Sequence, residues 1–337
     1  MRVIFVTDAW HPQVNGVVRV LSSLREELIR QGHEVDVVDP SQFSALPLPW
    51  YPEIKMTYHI RRSALREYVK PPCVVHIATE FAIGLWFRHA CEKFGVPFTT
   101  SYHTDFPAYC KKYIGMPQRV SYAYLRWFHR PSRSVLVTTP TMQGNLQRRG
   151  FKNVRLWHVG VDPEFFHPSP SVLPAGKPVC MYVGRVSKEK SIEDFLQTGN
   201  DVRKVVVGDG PLFKKLSSKY GEVQFTGKLQ GEALARMYAS ADCFVFPSRT
   251  DTLGMVLLEA LASGVPIAAY PVQGPIDIIG GRPKLGCLDE DLEKAIEVAL
   301  KRGDRDACRE YALGRSWTRC AEEFLAAQVP YTPGKKR

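Results

Sequence analysis

The 337-residue chain has eight cysteines but no C-x-x-C pair, no low-complexity run and no uninterrupted apolar stretch of transmembrane length. Leu253–Tyr270 comes nearest and is broken by Glu259, Gly264 and Pro266. The apolar opening stops at Asp8, too short for a signal-peptide core, so the expected location is the cytoplasm. Cysteines 73, 91, 110, 180, 243, 287, 308 and 320 mostly have apolar neighbours and read as reduced core thiols rather than disulfides or metal ligands. A G-x-G-x-x-G turn after the first strand is also missing, which disfavours a dinucleotide-dependent dehydrogenase. No divalent metal is expected.

What remains is an ordinary globular composition, 45 % hydrophobic and 23 % charged, with enough residues for two domains. Short β-branched runs alternate with helix-period segments, the pattern of an α/β chain with doubly wound parallel sheets. The first half has strands expected at Val3–Val6, Glu34–Val38, Cys73–Ile77, Phe98–Tyr102 and Ser134–Thr138. A Pro-rich passage follows, and the second half repeats the alternation from Val179. The reading is an N-terminal domain over 1–164, a linker over 165–178 and a second Rossmann-like domain over 179–315. A final helix over 316–337 is expected to cross back to the first domain. In such folds ligands bind at the carboxyl ends of the strands, here in a cleft between the domains.

Charge is uneven. There are 21 basic and 13 acidic residues before position 165, and 24 and 21 from there on, so +8 of the net +11 lies in the first part. A basic surface attracts nucleic acid, anionic lipid or phosphorylated substrates. No nucleic-acid recognition fold accompanies it.

Three stretches carry candidate chemistry. Gly16, directly before a helix, either is tolerated in a turn or lets backbone N–H groups approach an anion. Arg185 and Lys190 leave the carboxyl end of a strand and flank a helix start, which suits a diphosphate or a solvated turn. Asp251 precedes a helix whose first N–H groups, at Leu253 to Met255, could hold a phosphate. Glu259 is the sole charge between Leu253 and Tyr270, and a buried carboxylate needs a partner, such as vicinal sugar hydroxyls or the protein's own groups.

Asp251 and Glu259 with seven residues between them, Gly184-Arg185 with Lys190, Val207-Gly208-Asp209-Gly210-Pro211 and Gly160-Val161-Asp162 stand in the order of glycosyltransferase family 4. The sequence resembles that family over nearly its whole length, with Asp251 where the family usually has Glu. The resemblance implies a GT-B fold and a retaining transfer from a nucleotide sugar, as substrate, with no cofactor and no metal. It implies that Glu259 holds the ribose and that Arg185 and Lys190 hold the pyrophosphate. Asp251 would face the sugar, with Gly16, Thr252, Leu253, Gly254 and Met255 completing the cradle and Leu229 near the base. His103, at the end of Phe98–Tyr102, would contact the donor sugar. Asp105 and Glu80 are acceptor-side candidates. Retention is expected to run by front-face transfer, with Arg185, Lys190 and the helix start stabilising the leaving diphosphate and domain closure excluding water.

Within the family, the resemblance is to lipid-directed enzymes and mannosyltransferases. Lys111, Lys112, Arg126, Trp127 and Arg130 mix cations with aromatics, as an anionic membrane surface requires, although a solvated face over core aromatics would look the same. The expected enzyme is peripheral at the inner face of the membrane. It would move a hexosyl or uronosyl group, from a UDP-sugar ahead of GDP-mannose, to a lipid such as diacylglycerol. A soluble polysaccharide or polyol acceptor and a non-catalytic nucleotide-sugar binding protein are the alternatives.

Overall fold

The computed structural model describes residues 1–13, 15–48, 51–103, 106–107, 110–111, 115–199, 201–249 and 253–332. The chain divides into two compact units, Met1–His158 with Trp317–Arg337, and Val159–Ser316. The Pro-rich passage lies wholly in the second.

The first unit is built on a six-stranded parallel sheet of β1 (Arg2–Val6), β2 (Glu34–Val38), β5 (Val74–Ile77), β6 (Phe98–Tyr102), β7 (Val135–Val137) and β8 (Val154–Leu156), in the order β2-β1-β5-β6-β7-β8. Strands β1, β5 and β6 run through the middle and are almost wholly buried; β1 and β5 are accordingly near-continuous apolar runs, broken in β5 only by His76, whereas β6 buries the hydroxyls of Thr99, Thr100 and Ser101 between Phe98 and Tyr102. Helix α1 (Gly16–Arg30) buries Val18, Val20, Leu21, Leu24 and Leu28, an amphipathic stripe at helical spacing. An antiparallel pair, β3 (Ser44–Leu48) and β4 (Tyr51–His59), stands outside the parallel sheet. Sequence patterning gave no sign of it, because Pro47 and Pro52 interrupt both runs; a two-stranded ribbon consists of edges, where proline is tolerated.

In the second unit β9 (Val179–Val183), β10 (Arg203–Val207), β11 (Gln224–Gly227), β12 (Cys243–Phe246), β13 (Ile267–Ala269) and β14 (Gly286–Leu288) are ordered β11-β10-β9-β12-β13-β14, again all parallel. The order reverses beside β9, so the chain leaves β9 and β12 toward opposite edges of the sheet, the topology at which open α/β sheets bind ligands at the strands' carboxyl ends.

The helix Trp317–Ala327 belongs to the first unit. Thr318 accepts from Arg30 at the end of α1, the buried Trp157 indole donates to the Cys320 carbonyl at 3.1 Å, and Glu323 accepts from the His158 backbone N–H at 2.9 Å. Beyond the helix, Tyr331 pairs with Cys73.

Candidate active site

In the second unit the loops at the carboxyl ends of β9, β10 and β11 are held to one another by main chain. Gly184 N–H donates to Val207 O at 3.0 Å, Val186 N–H to Asp209 O at 2.9 Å and Gly208 N–H to Gly227 O at 2.9 Å. Gly208, at φ +139°, lies so close that a Cβ there would stand 1.9 Å from the Gly184 carbonyl oxygen. This lock presents Arg185 to solvent, while the Tyr182 hydroxyl donates to the Arg185 carbonyl at 2.8 Å. The chain then enters a short 3-10 turn, Lys188–Lys190, with Lys190 half-buried. Between the two cations, Glu189 accepts from the Ser187 hydroxyl at 2.6 Å. Burial pushes the Glu189 carboxyl up, but the Ser187 hydrogen bond and the Arg185 and Lys190 charges outweigh it and hold the group below the ordinary range. Its negative charge thus lies where it feels both cations.

Glu259 lies in the helix Met255–Ala262 and is 2 % exposed. Its Oε2 accepts from the Tyr238 hydroxyl at 2.8 Å, and Tyr238 comes from the neighbouring helix Gly231–Ala239. The helix of Glu259 is capped by Gly254 in left-handed conformation, φ +76°. Leu253 packs its carbonyl against Gly274, where a Cβ would come within 2.6 Å. Met255 opens the helix, and half-buried Leu229 packs on the apolar core of the same unit. Asp251 and Thr252 lie outside the described residues.

In the first unit Gly16 is the first residue of α1, beside Asn15, whose side chain caps the helix by accepting from Val18 N–H at 3.0 Å. Among the described residues, a Cβ on Gly16 would meet no atom beyond its own chain neighbours and helix turn within 4 Å, so packing there does not demand glycine at this exposed helix start. His103 follows β6, half-buried, with its Nε2 2.8 Å from the Ser101 hydroxyl and its ring edge-on to Trp157. Burial lowers its pKa to about 4, so the imidazole is neutral at physiological pH. Glu80 is engaged inside the unit: its carboxylate stands 3.3 Å from His129 Nε2, and its carbonyl accepts from the Tyr124 hydroxyl. Asp105 and Lys112 lie outside the described residues.

The helix Gln118–His129 buries Ser121, Leu125, Phe128 and His129 and leaves Arg126 in solvent, with Arg130 exposed just after it. Trp127 is 49 % and Val120 48 % exposed. The Arg88 guanidinium sits 4.0 Å over the Trp127 ring. Lys111 is exposed as well. Sequence reasoning did not reach Tyr238, Glu189 or His76, a buried histidine of β5 whose Nδ1 is 2.8 Å from Thr99 Oγ1. The available signals were a polar residue inside the apolar run Val74-Val75-His76-Ile77 and the hydroxyls at alternate positions of the neighbouring strand.

Residues 14–165 match the family model described as glycosyltransferase family 4, and residues 177–302 that described as glycosyl transferases group 1. A GDP-mannose-dependent alpha-mannosyltransferase of Mycobacterium tuberculosis is 34 % identical, over 96 % of this chain and 95 % of its own. An alpha-monoglucosyldiacylglycerol synthase of Streptococcus pneumoniae is 27 % identical, over 80 % of this chain and 71 % of its own. The structure of a sucrose-phosphate synthase from Thermosynechococcus elongatus superposes with a TM-score of 0.75 at 20 % identity, covering 96 % of this chain and 97 % of that one.

Proposed function

The chain belongs to glycosyltransferase family 4 and is a glycosyltransferase of GT-B fold, and on that premise we propose that it transfers a hexosyl group from a nucleotide sugar to a membrane lipid with retention at the anomeric carbon. GDP-mannose is the donor to test first, because the 34 % identical relative is named for it, with the UDP-sugar expected from sequence tested beside it. The lipid acceptor is supported by the diacylglycerol-directed relative and by the cationic, aromatic helix Gln118–His129.

The observation that carries the proposal is the turn after β9, where Arg185 and Lys190 flank an ionised carboxylate on a main-chain lock. A guanidinium fork and an ammonium held in advance stabilise charge that develops on a departing diphosphate without reorganising at that moment. Asp251, Thr252 and the helix start at Leu253, Gly254 and Met255 would receive the phosphate and sugar. Glu259 would hold the ribose, Leu229 would meet the base, and His103 and Gly16 would serve the donor from the first unit. The acceptor's proton passes to the leaving phosphate in a front-face transfer, and no cofactor or metal takes part. Asp105, with Lys111, Lys112, Arg126, Trp127 and Arg130, would serve acceptor and membrane at the inner face.

The test is incubation with radiolabelled GDP-mannose and UDP-sugars in a membrane extract, followed by organic extraction. Label from GDP-mannose in the organic phase is expected; label held in aqueous polymer would overturn the lipid acceptor, and no transfer from any donor would overturn the enzyme.

A further inference from the structure

We infer that Gln328, Thr99, His76 and Ser101 form a hydrogen-bond relay that fixes His103 as its Nε2–H tautomer with Nδ1 an acceptor, and that His76 is thereby a positioning residue for transfer. The bearing on transfer rests on the donor-site reading of His103; the relay itself does not.

The relay has one solution, because its first link can point only one way. Gln328 follows the C-terminal helix, and its Nε2 donates to the Phe324 carbonyl at 3.1 Å; a carbonyl only accepts, so the amide orientation is set. Gln328 Oε1 is then an acceptor, and Thr99 donates its hydroxyl proton to it at 2.7 Å. Thr99 has one proton. At the 2.8 Å contact with His76, Nδ1 must therefore be the donor and carry the hydrogen. His76 Nε2 is left with its lone pair and accepts from the Ser101 hydroxyl at 3.0 Å. Ser101 has now spent its proton as well, so at the 2.8 Å contact with His103 the donor is His103 Nε2.

The conditions for this logic are met at each link. His76 and Thr99 are 0 % and Ser101 1 % exposed, so water does not enter to reset the order. Both rings are neutral: burial, with the nearby His103 ring adding to it, lowers His76 to about 3, and burial lowers His103 to about 4. His76 is held between β1 and β6 in register, Phe5 on one side and Thr99 on the other, and Phe324 packs edge-on against its ring at 5.1 Å. In this tautomer His103 is neutral and carries its lone pair at Nδ1, chemistry suited to a sugar hydroxyl and unsuited to pairing with phosphate charge.

The experiment is long-range proton–nitrogen correlation NMR of the imidazoles in the full chain labelled at histidine nitrogen, with the exposed His89 as an internal control. His76 is expected protonated at Nδ1 and His103 at Nε2. Gln328→Leu releases the Thr99 proton, and Thr99→Val removes the hydroxyl while keeping the side-chain shape. Both should convert His103 to a mixture of tautomers without moving His89, and Thr99→Ser should restore the single form. In the GDP-mannose transfer assay, Thr99→Val should lower kcat about tenfold with KM for GDP-mannose within about twofold, the loss of one aligned hydrogen bond at the reacting sugar, again rescued by Thr99→Ser. His103 protonated at Nδ1 in the parent, or unmoved in both variants, would overturn the relay. If the tautomers shift while Thr99→Val keeps its kcat, the positioning role is overturned. Transfer unaffected by His103→Phe would remove His103 from the donor site and leave the relay standing, so the two failures read differently.

Discussion

Glu259 answers to two demands at once: its charge must be satisfied inside an apolar helix, and in the proposed reaction it must reach a ribose. Tyr238 meets the first through Oε2. Glu259→Gln keeps an oxygen for the Tyr238 hydroxyl but removes the charge that strengthens a hydrogen bond to a sugar hydroxyl. The variant should fold with an unchanged melting temperature and lose about 2–3 kcal/mol of transition-state stabilisation, roughly a hundredfold in kcat/KM measured with GDP-mannose. Asp8, two residues past β1, accepts from Ile83 N–H at 3.0 Å and from the Thr79 hydroxyl at 2.8 Å. Burial raises it to about 6 in spite of those bonds. A carboxyl raised on folding contributes stability below its unfolded value of 3.8 and loses it as pH rises through about 6. Denaturant unfolding of Asp8→Asn should therefore shift in the variant's favour by up to about 3 kcal/mol between about pH 3.5 and about pH 8. At this scale Glu259 was legible because a lone charge in an apolar run stands out. Tyr238 was not, since a tyrosine on an amphipathic helix has the pattern of any core aromatic.

Two helix and strand ends separate what glycine does for the protein from what it does for a ligand. Gly208→Ala places a methyl 1.9 Å from the Gly184 carbonyl and must open the lock between the β9 and β10 loops. It should cost about 2–4 kcal/mol in denaturant unfolding and abolish donor binding with it. Gly16→Ala meets nothing, so calorimetry should show stability within about 1 kcal/mol of the parent, while KM for the donor rises if the start of α1 receives the substrate. Most parallel strands and long helices were legible to within one or two residues, because buried parallel strands are continuous apolar runs and the helices carry a clear stripe. The pair β3 and β4, the short β8 and β14 and the helix Gln273–Ile279 were not. Prolines mask the first, and three-residue strands or a seven-residue helix opening Gln-Gly-Pro are too short to establish a period.

Taken over the whole molecule, the charge excess is sharper than the chain halves suggest. The unit of Met1–His158 and Trp317–Arg337 holds 25 basic and 13 acidic residues, and Val159–Ser316 holds 20 and 21. The net charges are +12 and −1. The unit carrying Arg185 and Lys190 has no surplus at all, so the proposed diphosphate site does not account for the surplus, whereas the proposed docking on an anionic bilayer would. Replacing Lys111, Lys112, Arg126 and Arg130 by Gln should cut flotation with anionic liposomes at least tenfold and leave the far-ultraviolet circular dichroism unchanged; undiminished flotation would count against docking through this face. The role of the C-terminal residues in the relay could not be read from sequence, because it depends on a contact between positions 99 and 328.

That contact also has a consequence for biosynthesis. A unit whose sheet emerges first from the ribosome, yet needs Thr318, Cys320, Glu323, Gln328 and Tyr331, waits through translation of the entire second unit before it can finish folding. At roughly 5–20 residues per second that delay is on the order of ten to thirty seconds. A nascent chain halted before Trp317 would lack every one of those partners, including the amide from which the tautomer of His103 is set.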